Sequence, residues 1–238
     1  MIPSPHSLGA YSGAPCAPAP RKSSVYAPQR RLFESGPGTN HIPMPSLPPV
    51  TRALILICVA VFAMQQLLPL VGLLALWPLQ SGNFMPWQVF SYAFLHGDLL
   101  HLFFNMLALW MFGAEIERLW GGKRYLQFLL ASSMAAALVQ LVWTLLIGSR
   151  VPTLGASGAT YGLLLAFGML FPNRTIMLLI PPIPMKAKFF VAIFGALELI
   201  QGVMGPSGIA HFAHLGGMLG GFLMIRYWRG QAPFGRRR

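Results

Sequence analysis

Charge is what this chain has least of. Only 9% of its 238 residues are charged, against about 25% in an ordinary soluble domain. Only five are Asp or Glu, too few for a solvated acidic surface. Cysteine is also scarce. Cys16 and Cys58 lie in different kinds of sequence and make neither a disulfide framework nor a metal spacing. What is abundant is oil: 55% of residues are hydrophobic. The net charge of +12 therefore reports membrane orientation first, and no nucleic-acid partner is expected.

Residues 1–50 are rich in Pro, Ser and Gly and carry no sustained apolar period. They are expected to be a disordered tail. No basic segment followed by an apolar one precedes residue 50, so no cleaved signal is expected. Met44, just before the ordered part, is a candidate start. A membrane domain is expected over 51–228 and a basic tail over 229–238.

Apolar runs over about 53–77, 100–119, 125–147, 157–172, 188–204 and 209–227 predict six membrane helices. An irregular stretch with Gly82, Asn83, Pro86 and Trp87 separates the first two. A turn at Pro181-Pro182-Ile183-Pro184 precedes the fifth. The Lys and Arg residues check this division. Sixteen fall in segments on one side and only Arg150 on the other. That predicts six crossings with both termini cytoplasmic. The fold class is all-α, a six-transmembrane-helix bundle.

Ionisable and polar residues are costly inside such a bundle and point to function. His101 and Asn105 are four apart and share a face of span two. Ser157 and Tyr161 do the same on span four. His211 and His214 open span six. The alternating topology places all three helix starts at the outer side, at one depth. Gly158 and Gly162 make a small face on span four. On span six, His214, Gly217 and Gly221 share one stripe. Packing these faces closely would bring the His214 ring to the Ser157 hydroxyl, a nucleophile with its general base. Two plainer readings compete. Ser157 is also a natural helix cap, and polar side chains also glue membrane helices together. Asp98, on a loop, and Glu198, within span five, are poor candidates for a third, orienting acid. Glu198 is read as a hydrogen-bonded core acid off the level of the other polar groups. A Ser–His dyad is the economical expectation. Tyr161 is placed to stack on the imidazole. His101, Asn105 and the Ser157 backbone N–H are placed to stabilise an oxyanion.

The segments His101-Leu102-Phe103-Phe104-Asn105, Gly155-Ala156-Ser157-Gly158 with Tyr161, and Ala213-His214-Leu215-Gly216-Gly217 resemble the rhomboid intramembrane serine proteases. The likeness covers about residues 50–228 and keeps the order of the motifs. It implies an intramembrane serine endopeptidase that cleaves transmembrane segments of other proteins. Ser157 would be nucleophile and His214 base, since the family's base is followed by glycine three residues later. His211 would then line the cavity. The resemblance implies no metal and no cofactor, and a gate formed by span five and its preceding loop. The bilayer and transmembrane substrates are the expected partners, and a bacterial inner membrane the expected location. Trp87-Gln88 departs from the Trp-Arg of many members. Glu115 and Glu117 fall in the region of a structural glutamate, read here as interfacial charge pairing. The alternative is a catalytically silent relative that escorts membrane helices. A His-lined transporter fits less well, because the halves show no repeat.

Overall fold

The computed structural model describes residues 46–178, 181–205 and 208–230. Residues 1–45 of the expected N-terminal tail, with Cys16 and the candidate start Met44, and the terminal arginines 236–238 lie outside the described residues. The helix α1 (Pro49–Gln65) opens with proline at its first position, where a missing N–H costs nothing. The boundary expected at residue 50 therefore falls within its first turn. A loop follows, with two short helices, α2 (Leu70–Leu74) and α3 (Gln88–Ser91).

The helix α4 (Leu99–Ala108) continues through a π-turn at Leu109–Gly113 into α5 (Ala114–Trp120). Asp98 caps it, its carboxylate accepting from the His101 N–H at 2.8 Å. Then come α6 (Gly122–Leu146), α7 (Ser157–Leu170), α8 (Ala187–Met204) and α9 (His211–Trp228). Among the described residues, long helical stretches lie along the expected apolar runs. Three of them, Leu99–Trp120, Gly122–Leu146 and Ala187–Met204, are long and apolar enough to cross a membrane. The fold is not purely α-helical. Strands β1 (Thr175–Met177) and β2 (Pro184–Lys186) pair antiparallel where only a turn was expected, Thr175 opposite Lys186.

The packing is organised by α9, which lies against both α6 and α7. Its glycines divide the work between two faces. A Cβ on Gly217 would collide with the Gly158 carbonyl of α7, and one on Gly221 would meet the Gly162 Cα at 3.3 Å. A Cβ on Gly216 would meet the Ala135 carbonyl of α6 at 2.9 Å, and one on Gly220 the Ala131 carbonyl at 2.8 Å. Both neighbours are therefore at backbone distance, the close approach that small residues permit. Outward-facing Leu138, Val142, Leu145 and Leu146 on α6 are exposed, as suits a surface solvated by lipid. The helix α8 packs against α7 and α9 and exposes most of its apolar surface.

Two acids and an amide hold the periphery. The buried Glu117 carboxylate accepts from the N–H groups of Val50 at 2.9 Å and Thr51 at 2.7 Å, and from the Thr51 hydroxyl at 2.7 Å. It satisfies the orphan donors of α1 from another helix, so it is a cap and not part of an interfacial charge pair. Glu115 does pair with a cation, Arg174. Gln88, the departure from Trp-Arg, is fully buried. Its Oε1 accepts from Trp77 and Met85 N–H, and its Nε2 donates to the Leu73 and Asn83 carbonyls. A neutral amide thus anchors the first loop.

Candidate active site

The segment before α7 is pinned at several points. Leu76 and Thr153 exchange both backbone hydrogen bonds at 2.9 Å. The Gly155 N–H donates to the Tyr92 carbonyl at 2.9 Å. Tyr92 is in turn fixed by its hydroxyl, which donates to the Ser133 carbonyl at 2.8 Å. Gly155 has φ +125°, and a Cβ there would meet the His101 ring at 2.7 Å. Glycine is required twice over, by backbone conformation and by the imidazole that lies against it.

Ser157 is the first residue of α7, and the cap position before it is held by Ala156, which has no side-chain oxygen. The capping reading therefore fails. Its Oγ lies 2.8 Å from His214 Nε2, the spacing of a nucleophile and its base. The His214 ring is buried and stacks on Tyr161, with centroids 4.2 Å apart and planes 5° apart. The stack, like the Ser–His contact, depends on α7 and α9 meeting along Gly158, Gly162, Gly217 and Gly221.

Glu198 is not off the level of these groups. It is buried, and its Oε2 lies 2.6 Å from His211 Nδ1 and 2.9 Å from His214 Nδ1. The latter is an ion-pair distance whose angle departs from a good hydrogen bond. Its Oε1 accepts from the Tyr161 hydroxyl. The expectation of a hydrogen-bonded acid holds, and its expected depth is corrected. Glu198, His211 and His214 also offer three donor atoms within 4.8 Å of one another. A metal could use such a set, in which Glu198 Oε2 lies between the two imidazoles, hydrogen-bonded to His211 Nδ1 and at ion-pair distance from His214 Nδ1.

The His101 ring lies against Gly155, two residues before Ser157, and Asn105 follows His101 by one helical turn. The Gly97 N–H points to His101 Nδ1 at 3.4 Å. That contact favours the proton on Nε2, the nitrogen turned toward Gly155. Asn105 is buried, donates to the His101 carbonyl at 2.9 Å and, at 3.3 Å, shares the Thr160 hydroxyl proton with the Ser157 carbonyl, which is nearer at 3.1 Å. Its amide orientation is thereby set, with one N–H left over. Thr160 is a supporting residue that sequence reasoning missed. Its spacing three residues after Ser157 was the available signal. His96, also missed as a neighbour, is fully buried and meets the His101 ring edge-on at 5.2 Å. Its backbone is clamped by Gln65, which accepts from the His96 N–H at 3.2 Å.

A serine in hydrogen-bond reach of an imidazole, further buried polar side chains and an adjacent acid thus lie together inside an apolar helical bundle. A rhomboid domain model matches residues 83–230. The chain is 32% identical over 175 residues to "Rhomboid protein 1, mitochondrial" of Saccharomyces cerevisiae, covering 72% of this chain and 51% of that one. It is 30% identical over 188 residues to "Presenilin-associated rhomboid-like protein A, mitochondrial" of Danio rerio, covering 76% and 48%. It is 30% identical over 190 residues to "Rhomboid protease GlpG" of Yersinia pestis, covering 76% and 62%. The chain belongs to the rhomboid family, and with its apolar helices it is an integral membrane protein. It spans about half the length of the first curated relatives it matches.

Proposed function

We propose that this protein is an intramembrane serine endopeptidase that cleaves transmembrane segments of other membrane proteins. The observation that carries the reading is the 2.8 Å contact between Ser157 Oγ and His214 Nε2, in a setting where an idle polar pair is costly. Ser157 Oγ attacks the scissile carbonyl carbon as its proton passes to His214 Nε2. The carbonyl oxygen becomes an oxyanion, stabilised by the Ser157 N–H, the His101 Nε2–H and the free Asn105 N–H. His214 then gives its proton to the leaving nitrogen, and the new N-terminus departs. Water, deprotonated by His214, hydrolyses the remaining acyl ester and restores Ser157. Tyr161 and His211 support the ring, and the glycine rows keep the two reacting helices in register.

The proposed topology has six crossings, both termini on the cytoplasmic face and the site near the opposite face. The Lys and Arg distribution supports it, and a bacterial inner membrane is the proposed location. The substrates share a class only: single helices that can unwind near the membrane surface, since a peptide bond must leave its helical hydrogen bonding to reach Ser157. The test is incubation of the purified protein with a model transmembrane substrate. Cleavage that Ser157→Ala abolishes supports the reading. Binding without cleavage in the unaltered protein would assign it to the helix-escorting relatives.

A further inference from the structure

We propose that Glu198 is the positioning acid of this site, completing a Ser157–His214–Glu198 triad in place of the expected dyad. The inference rests on the assignment of Ser157 and His214 as nucleophile and base. One carboxylate touches every group that orients the base. Oε2 lies 2.9 Å from His214 Nδ1 and 2.6 Å from His211 Nδ1. Oε1 accepts from Tyr161, whose ring lies flat on His214. A bundle with few acids has placed one of them, buried, behind its base.

The chemistry follows from the imidazole's single proton. A neutral ring carries it on Nδ1 or on Nε2, and only the Nδ1–H form leaves a lone pair on Nε2 for Ser157. A carboxylate facing Nδ1 accepts and cannot donate, so it selects the productive tautomer. When Nε2 takes the serine proton, the ring becomes a cation beside that carboxylate. Glu198 gains no proton at any step. His211 serves the acid: by sharing Oε2 it fixes where the carboxylate sits. The acid is presented by α8, the helix that the family resemblance assigns to the gate.

The decisive measurement is the pH profile of kcat/KM and of kcat for the full chain and for Glu198→Gln, with Ser157→Ala and His214→Ala alongside. The charged or titratable groups around His214 are Tyr161 on α7, Glu198 on α8, His211 on α9 and His101 on α4. Only Glu198 is changed. Removing its charge should lower kcat at least tenfold. It should also move the acid limb of the profile to lower pH, because a carboxylate nearby favours the imidazolium. A packing role alone would lower activity equally at every pH, with the limb unmoved, and would overturn the proposal. Faster cleavage would overturn it too, making the contact a latch on α8. Glu198→Gln equal to the unaltered protein, with the other two variants dead, would sink the triad and leave the Ser–His assignment standing. Cleavage by Ser157→Ala or His214→Ala would instead sink that assignment. Should Glu198→Gln misfold, nitrogen NMR of Ser157→Ala protein at neutral pH decides the matter. A His214 ring protonated on Nδ1 supports the proposal, and one protonated on Nε2 alone overturns it.

Discussion

The imidazole of His214 lies parallel to the ring of Tyr161, 5° from coplanar and 4.2 Å away, while the Tyr161 hydroxyl donates to Glu198. Tyr161 therefore acts through two separable contacts. Tyr161→Phe keeps the stack and loses only the hydroxyl; Tyr161→Ala loses both. Aromatic stacking contributes about 0.5–1.5 kcal/mol, and a neutral–charged hydrogen bond about 1.5–3 kcal/mol. Steady-state cleavage should fall in both variants and further in Tyr161→Ala. Equal rates in the two would show that the ring face contributes nothing to holding the base.

Gly217 and Gly216 are neighbours in sequence that face different helices. A Cβ on Gly217 runs into the Gly158 carbonyl, one residue from Ser157. Gly217→Val should lower the midpoint of thermal unfolding in detergent and abolish cleavage together, since a shift of about 1 Å at reacting groups can cost about a hundredfold in rate. Gly216→Val pushes on α6 instead, so any folded fraction should keep more activity per molecule. Full activity and unchanged melting in Gly217→Val would remove the close α7–α9 contact from the account.

These two helices show how much was legible beforehand. The six apolar runs, the glycine stripe below His214 and the small face below Ser157 follow from helical periodicity, which is local. The pairing of Ser157 with His214 followed because glycines at i+3 and i+7 dictate which helix can come close. Glu198 was not legible in the same way. Gly195 and Gly202 flank it at i−3 and i+4 and turn that face of α8 toward α9, where a Cβ on Gly202 would meet Phe212 at 2.9 Å, but two separated glycines do not fix its depth relative to His214, which depends on how α8 docks. The β1–β2 hairpin was hidden for a similar reason, since the prolines at 181, 182 and 184 signal a turn but not the pairing of Thr175 with Lys186. Gln88 looked like a lost arginine, and only three-dimensional closure of the loop supplies its four backbone partners.

Acid should weaken the fold through His96, which lies in the stretch before α4. Burial first, and the neighbouring His101 second, push its imidazole down from 6.5 to about 4. The unfolded chain takes a proton there below about 6.5; the folded chain resists until about 4. Stability from this group is thus full above 6.5 and is lost as pH falls toward 4. The loss should be on the order of 2–3 kcal/mol, read from unfolding in detergent at pH 7 and pH 4.5. His96→Leu should flatten that dependence. An equally steep dependence in His96→Leu would assign the acid sensitivity to another group.

Asn105 has its amide held by the His101 carbonyl and the Thr160 hydroxyl, so its remaining N–H is preorganised. Asn105→Ala should lower kcat about a hundredfold, the low end for loss of one oxyanion donor, with little change in KM. Thr160→Val, which frees the amide without removing it, should cost less. A large rise in KM at unchanged kcat would place Asn105 in substrate binding instead.

The central claim is that Ser157 is a nucleophile activated by His214. It is tested most directly by reacting the folded protein in detergent with a fluorophosphonate and locating the adduct by mass spectrometry. The account predicts one covalent phosphonyl group on Ser157, absent from Ser157→Ala and slowed by at least a hundredfold in His214→Ala. An unlabelled Ser157 in protein whose thermal unfolding is intact, or labelling at the same rate without His214, would contradict it.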